Sequence, residues 1–162
     1  MVADTAKKET PRDRVLIAAE ALFMARGFAA VTLRDIAAEV GIKHASLYHH
    51  VPGGKEELFV EVITRSLRRH AEGIRCSVES VPGDIRSRLH AIAEWFLNQS
   101  PMDLVRMTRS DIPALSSETA AEIEQLTYRS ILRPIERLLA EAYEAGEISN
   151  ENHGLVAGGI VG

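Results

Sequence analysis

The 162 residues carry a formal net charge of −4, a 46% share of hydrophobic residues and a single cysteine. That length holds one domain, or a small domain joined to a somewhat larger one, with enough apolar residues to bury a core. No apolar run approaches the roughly 18 residues a membrane span needs, the first residues lack the apolar stretch of a signal peptide, and Cys76 has no partner for an internal disulfide; a cytoplasmic protein without a membrane partner is expected.

The charge is unevenly placed. Up to Lys55, eight Lys and Arg face six Asp and Glu, a net +2, whereas from Glu56 onward eleven face seventeen, a net −6. His44, His49 and His50 lie in the positive part. A small module turned toward a polyanion and a larger body turned elsewhere would segregate sign in this way.

Apolar residues recur at helical spacing from end to end, without the alternation of a half-buried strand, so the fold class is all-α. The first helix has Thr10 to cap it, Pro11 at its first position and Asp13 in its first turn. Val15, Ala18, Ala19, Leu22 and Phe23 share one face, and Gly27 ends it. In "TLRD", Thr32 can cap the amide of Asp35 while Asp35 reaches back, and Ile36, Ala37 and Val40 form the inner face of a second helix. Gly41 stops that helix after two turns. "IKHASLYHHV" resumes helical spacing with Leu47 and Val51 inward, until Pro52, Gly53 and Gly54 end the third helix.

Glu56 and Glu57 open a fourth helix, carried toward Cys76 by Leu58, Phe59, Val62, Ile63 and Leu67. After "SVPGD", Ile85, Leu89, Ile92 and Phe96 mark a fifth, and a short apolar piece surrounds Leu104 and Met107. The stretch from Ser116 to Ile148 reads as one long helical segment ending at Gly146, with Pro134 predicting a kink or break near Ser130. "HGLVAGGIVG" begins a helix whose apolar face is incomplete, as if the sequence were a shortened version of a longer one.

Two short helices separated by a turn containing Gly41 form a helix-turn-helix pattern, whose second helix enters the DNA major groove in proteins that use it. With Leu47 and Val51 holding the third helix inward, Lys43, His44, Ser46, Tyr48, His49 and His50 project away from the small core. Phosphates and base edges accept hydrogen bonds from such a set, although a solvated helix face has the same composition. Arg34 and Lys55 lie at the starts of the flanking helices, where backbone amides and a cation can bind one phosphate together.

Residues 12 to 58, through "ALFMARGF", "TLRDIAAEVGI" and "ASLYHHVPGGKEEL", resemble the DNA-binding domain of the TetR family of bacterial transcriptional regulators. The resemblance divides the chain into an N-terminal DNA-binding domain over 1–54 and a ligand-binding and dimerisation body over 55–162. It implies DNA contact at Thr32, Arg34, Lys43, His44, Ala45, Ser46, Tyr48, His49 and Lys55. It further implies a homodimer paired through the C-terminal helices on a double-stranded, pseudo-palindromic DNA operator, released by a small-molecule effector. If the last helix of that pairing is absent, dimerisation and DNA binding should both be weak. Two positions depart from the family pattern: Lys43 stands where a small capping residue is usual, and Val51 replaces an aromatic residue before the proline.

For the effector, Trp95, Phe96, Met102, Met107 and Tyr128 are the large or adaptable side chains of the body, with Arg106 or Arg109 available to an acidic ligand; each is equally a residue of an ordinary core. No spacing suggests an enzyme, a metal site or a cofactor. His49 and His50 are adjacent and diverge on a helix, and no carboxylate is paired with an acid or base partner. The alternative to a DNA-binding regulator is a helical sensor or scaffold that keeps the helix-turn-helix shape and acts through protein partners.

Overall fold

In the computed structural model, which describes residues 10–99 and 104–161, all regular structure is helical. Helix α1 (Pro11–Arg26) starts at a capping box: the Thr10 hydroxyl accepts from the Asp13 amide at 3.1 Å, and the Asp13 carboxylate accepts from the Thr10 amide at 3.0 Å. Gly27, at φ 80°, closes it. Helix α2 (Leu33–Val40) opens the same way on Thr32 and Asp35. It ends at Gly41 in the left-handed region, where the Gly41 amide donates to Ala38 O at 3.1 Å and the Ile42 amide to Ala37 O at 3.0 Å.

Helix α3 spans only His44–Leu47, and a turn follows through His50. Helical spacing predicts a longer α3, up to Val51. The coil tightens instead, with His49 and His50 amides donating three residues back, to Ser46 O at 3.3 Å and Leu47 O at 2.8 Å. Val51 precedes Pro52, which disfavours α geometry there. Helix α4 (Gly54–Ser80) follows, with Glu56 and Glu57 in its first turn.

Packing divides the chain into a unit ending at Val62 and a unit beginning at Ile63, so the division falls inside α4. In the first unit Phe23, Phe28 and Phe59 meet with ring centroids 4.9 to 6.3 Å apart. Val15, Ala19, Val31, Ile36, Leu47, Val51 and Leu58 are buried there. Arg12 on α1 donates both terminal nitrogens to the Glu61 carboxylate on α4, at 2.5 and 2.7 Å.

In the second unit, α5 (Ile85–Leu97) is capped by Asp84, which accepts from the Ser87 amide at 2.9 Å, while the Ile85 amide donates to Glu147 at 2.6 Å. Helix α6 (Leu104–Arg106) runs into a π-turn, Met107–Asp111, and a 3-10 turn, Ile112–Ala114. Helix α7 (Ser117–Thr127) and helix α8 (Arg133–Glu144) are joined by a second π-turn, Tyr128–Leu132. Both π-turns close in the same way: the residue before a proline donates five residues back, Ile112 to Met107 O ahead of Pro113 and Arg133 to Tyr128 O ahead of Pro134. A proline ring collides with the carbonyl four residues earlier, and a turn widened by one residue relieves the collision. The break predicted at Pro134 thus takes the form of an added residue; the one at Pro113 has the same origin.

Helix α9 (His153–Val161) buries Ala157 against Ile135 and Leu139 of α8, with Ile85, Leu89, Ile148 and Val156 around them. Leu155 and Ile160 stay exposed. Among the described residues no helix is long and apolar enough to cross a membrane.

Candidate nucleic-acid interface

The face of interest is built by three helix starts in the first unit. The Thr32–Asp35 box fixes where α2 begins, and the Thr32 hydroxyl also donates to Asp35 at 2.6 Å. Those hydrogen bonds hold the Asp35 carboxyl below its ordinary range, with the side-chain bond from Thr32 the larger cause. Arg34 is exposed in the first turn of α2. Gly41 then turns the chain so that α3 starts beside α2. Lys43 stands at its N-cap position without a side-chain cap bond, as its chemistry requires.

From α3 onward the two sides of the segment separate cleanly. Leu47 and Val51 are 1% and 3% exposed and anchor it, whereas Tyr48 is 49% exposed and Lys43, Ala45 and His49 face solvent. Ser46, His44 and His50 are half-buried. The His44 and Tyr48 rings meet edge to face, 5.1 Å between centroids, so each limits the other's rotamers.

Four of the nine residues assigned to DNA contact, Thr32, Arg34, His44 and Lys55, line one open concavity of about 420 Å³ together with Val31 and Leu33. Lys55 does not stand out as a free cation. Its ammonium donates to Phe28 O at 3.0 Å and lies 4.2 Å from the centroid of the Phe28 ring. An ammonium has three donors, so two remain for an anion in the concavity. The pairing joins residues 27 positions apart and has no local sign in the sequence, although Phe28 directly after the helix-ending Gly27 is a candidate for any long cation reaching back.

The residues considered for an effector are distributed over the second unit. Trp95 and Phe96 pack edge to face at 5.3 Å, both against the ring of His70, at 5.2 and 5.5 Å. His70 is 2% exposed, and its Nδ1–H donates to Ser66 O at 2.7 Å. Sequence reading passed over His70, which occupies an apolar position of α4 in register with Ile63, Leu67 and Ile74; a histidine at such a position is the signal. Gly73 lets the indole lie flat on the helix, since a Cβ there would sit 2.0 Å from Trp95 Cε2. Met107 is buried in the first π-turn. Tyr128 is exposed instead, its hydroxyl donating to Glu136 at 2.8 Å, a bond that raises its pKa. Arg106 lies beside the buried Asp111 carboxylate, Nε to Oδ2 3.5 Å; Arg109 is exposed. Met102 lies outside the described residues. Cys76 is exposed on α4, where its thiol donates to Glu72 at 3.4 Å and is held protonated to higher pH by that carboxylate.

Residues 15–62 match the model of the bacterial regulatory proteins, tetR family. The chain is similar to the HTH-type transcriptional regulator LmrA of Bacillus subtilis (strain 168), 42% identical over 52 residues covering 32% of this chain and 28% of LmrA. It is also similar to the HTH-type transcriptional activator FasR of Mycolicibacterium smegmatis, 32% identical over 91 residues covering 56% of this chain and 41% of FasR. The matched part therefore spans less than half the length of either relative. Among solved structures, the fold is that of AibR in complex with isovaleryl coenzyme A and operator DNA, with a TM-score of 0.76 at 20% identity over 94% of this chain and 82% of that one.

Proposed function

We propose that this chain, whose residues 15–62 belong to the tetR family of bacterial regulatory proteins, is a cytoplasmic, ligand-responsive transcriptional repressor that binds a pseudo-palindromic operator as a homodimer. The observation that carries the reading is the convergence of Thr32, Arg34, His44 and Lys55 on one concavity, beside a segment that buries Leu47 and Val51 and presents Ala45, Tyr48 and His49. A phosphate in the concavity meets the Arg34 guanidinium, the two remaining Lys55 donors and the amides at the start of α2. Contacts of that kind fix register on the duplex without reading sequence. Lys43, Ser46, Tyr48 and His49 then face base edges, and the bound guanine or phosphate at Lys43 offsets the cap that Lys43 cannot supply.

A homodimer through α8 and α9 sets two such segments on half-sites about one helical turn apart. An effector bound in the body, near Trp95, Phe96 and Met107, with the exposed Tyr128 as a further candidate and Met102 outside the described residues, changes that spacing and releases the operator.

The test is selection of bound fragments from random DNA, followed by titration of the best fragment at graded salt. A two-fold symmetric motif is expected, with affinity falling steeply as salt rises because bound phosphates release counterions. Lys43→Ser should weaken operator binding about tenfold and reduce the salt slope by about one. Unchanged affinity together with a higher melting temperature would remove the role of Lys43. No enriched sequence from a dimeric preparation would favour a scaffold that works through protein partners.

A further inference from the structure

We propose that the groove between the second half of α4 and α8 is a binding site for an anionic amphiphile, a molecule with a straight apolar tail and a phosphate or carboxylate head. The site goes beyond the DNA-binding reading and does not depend on it. The groove encloses about 640 Å³, within the range of small-molecule sites. Its floor is apolar, made by Ile74 and Val78 of α4 and by Leu138 of α8.

One wall is a row of three arginines, Arg129, Arg133 and Arg137, each four residues after the last. All three side chains are exposed, and none is hydrogen-bonded or ion-paired with a described residue.

The charges on the opposite wall behave differently. Arg75 is held by two carboxylates, donating to Glu72 from Nε at 3.0 Å and from Nη2 at 2.6 Å, and to Glu79 from Nη1. Those three groups are bonded to one another and sum to a net −1. Along the groove four arginines, Arg75, Arg129, Arg133 and Arg137, still outnumber two carboxylates, Glu79 and Glu141, and the excess positive charge lies in the row of three. Guanidinium groups recognise phosphate and carboxylate oxygens with paired N–H donors, and a row of them repels one another until an anion is bound. An apolar floor beside a cationic wall therefore fits a ligand whose two ends differ in the same sense. A bare anion leaves the floor uncovered, and a neutral alkane leaves the wall uncompensated.

The experiment is calorimetric titration of the full chain with decyl phosphate, set against decanol, inorganic phosphate and decyltrimethylammonium at the same ionic strength and below micelle-forming concentrations. Decyl phosphate should bind at one site at least about tenfold more tightly than any of the three controls. Arg133→Gln with Arg137→Gln should lose about tenfold or more of that affinity, Arg133→Lys with Arg137→Lys should recover part of it, and Val78→Ser should weaken the tail without touching the head. Far-ultraviolet circular dichroism and the melting temperature confirm that each variant is folded. Equal affinity for decyl phosphate and decanol, or decyl phosphate affinity unchanged in the double glutamine variant, overturns the proposal. Because these titrations contain no DNA, their failure leaves the operator reading intact, and the converse also holds.

Discussion

Between Thr10 and Val62 nearly every change of direction is fixed by a residue acting on its own backbone: Thr10 and Thr32 close capping boxes, and Gly27 and Gly41 take positive φ. From Ile63 onward the decisive contacts join residues far apart in the chain. Gly73 makes room for Trp95, His70 underlies Trp95 and Phe96, and the first amide of α5 bonds to Glu147. The first kind of instruction operates within four residues and is visible in one dimension. The second exists only once the chain has folded. The first unit is thus specified closely and locally, whereas the second adds to local caps such as Asp84 a set of contacts that only packing supplies.

The comparison would break first at Phe59, where the locally written unit depends on one shared packing point. Phe59 is fully buried against Phe23 and Phe28, and Phe59→Ala should cost about 3–5 kcal/mol in chemical denaturation, enough to unfold the module despite intact caps. Gly73→Ala probes the long-range side. The added methyl meets the Trp95 indole at close to 2 Å, so about 1–3 kcal/mol of stability should be lost, and the emission of Trp95, the one tryptophan of the sequence, should shift as the ring is pushed aside.

Gly41→Ala sharpens the contrast, because nothing lies within 4 Å of the added Cβ. The expected loss of about 1 kcal/mol comes from φ 75° alone and is read as a lowered denaturation midpoint. The smallest effect is expected from acid. Thr32 holds the folded-state pKa of Asp35 below its unfolded value, so the stability this provides is present above the unfolded value, about 3.9, and is lost as pH falls through the folded one. The stability gap between the native chain and Thr32→Ala should therefore narrow below about pH 4, and a gap constant from pH 7 to pH 2 would remove Asp35 from the box.

The same division decides what could be read in advance. Caps at Thr10 and Thr32, the stop at Gly41, the inward pair Leu47 and Val51, and the break before Pro134 all follow from neighbours within a turn, and each is where the sequence puts it. Lys55 is placed toward DNA by its position at a helix start, while its bond to Phe28, 27 residues away, has no local sign. The approach of Arg106 to Asp111 is likewise hidden, because no local pattern announces the burial of Asp111. Tyr128 is exposed on the second π-turn, and the sequence predicts a kink or break at Pro134 alone, whereas the turn before Pro113 widens in the same way.

Four residues are too few for a helix to hold itself together, so α3 owes its conformation to Leu47, Val51 and the turn at Gly41 rather than to the side chains it displays. Ala45, Tyr48 and His49 can then be exchanged with little effect on folding. On the operator reading proposed above, drift at three or four positions would supply a new target while the scaffold is kept.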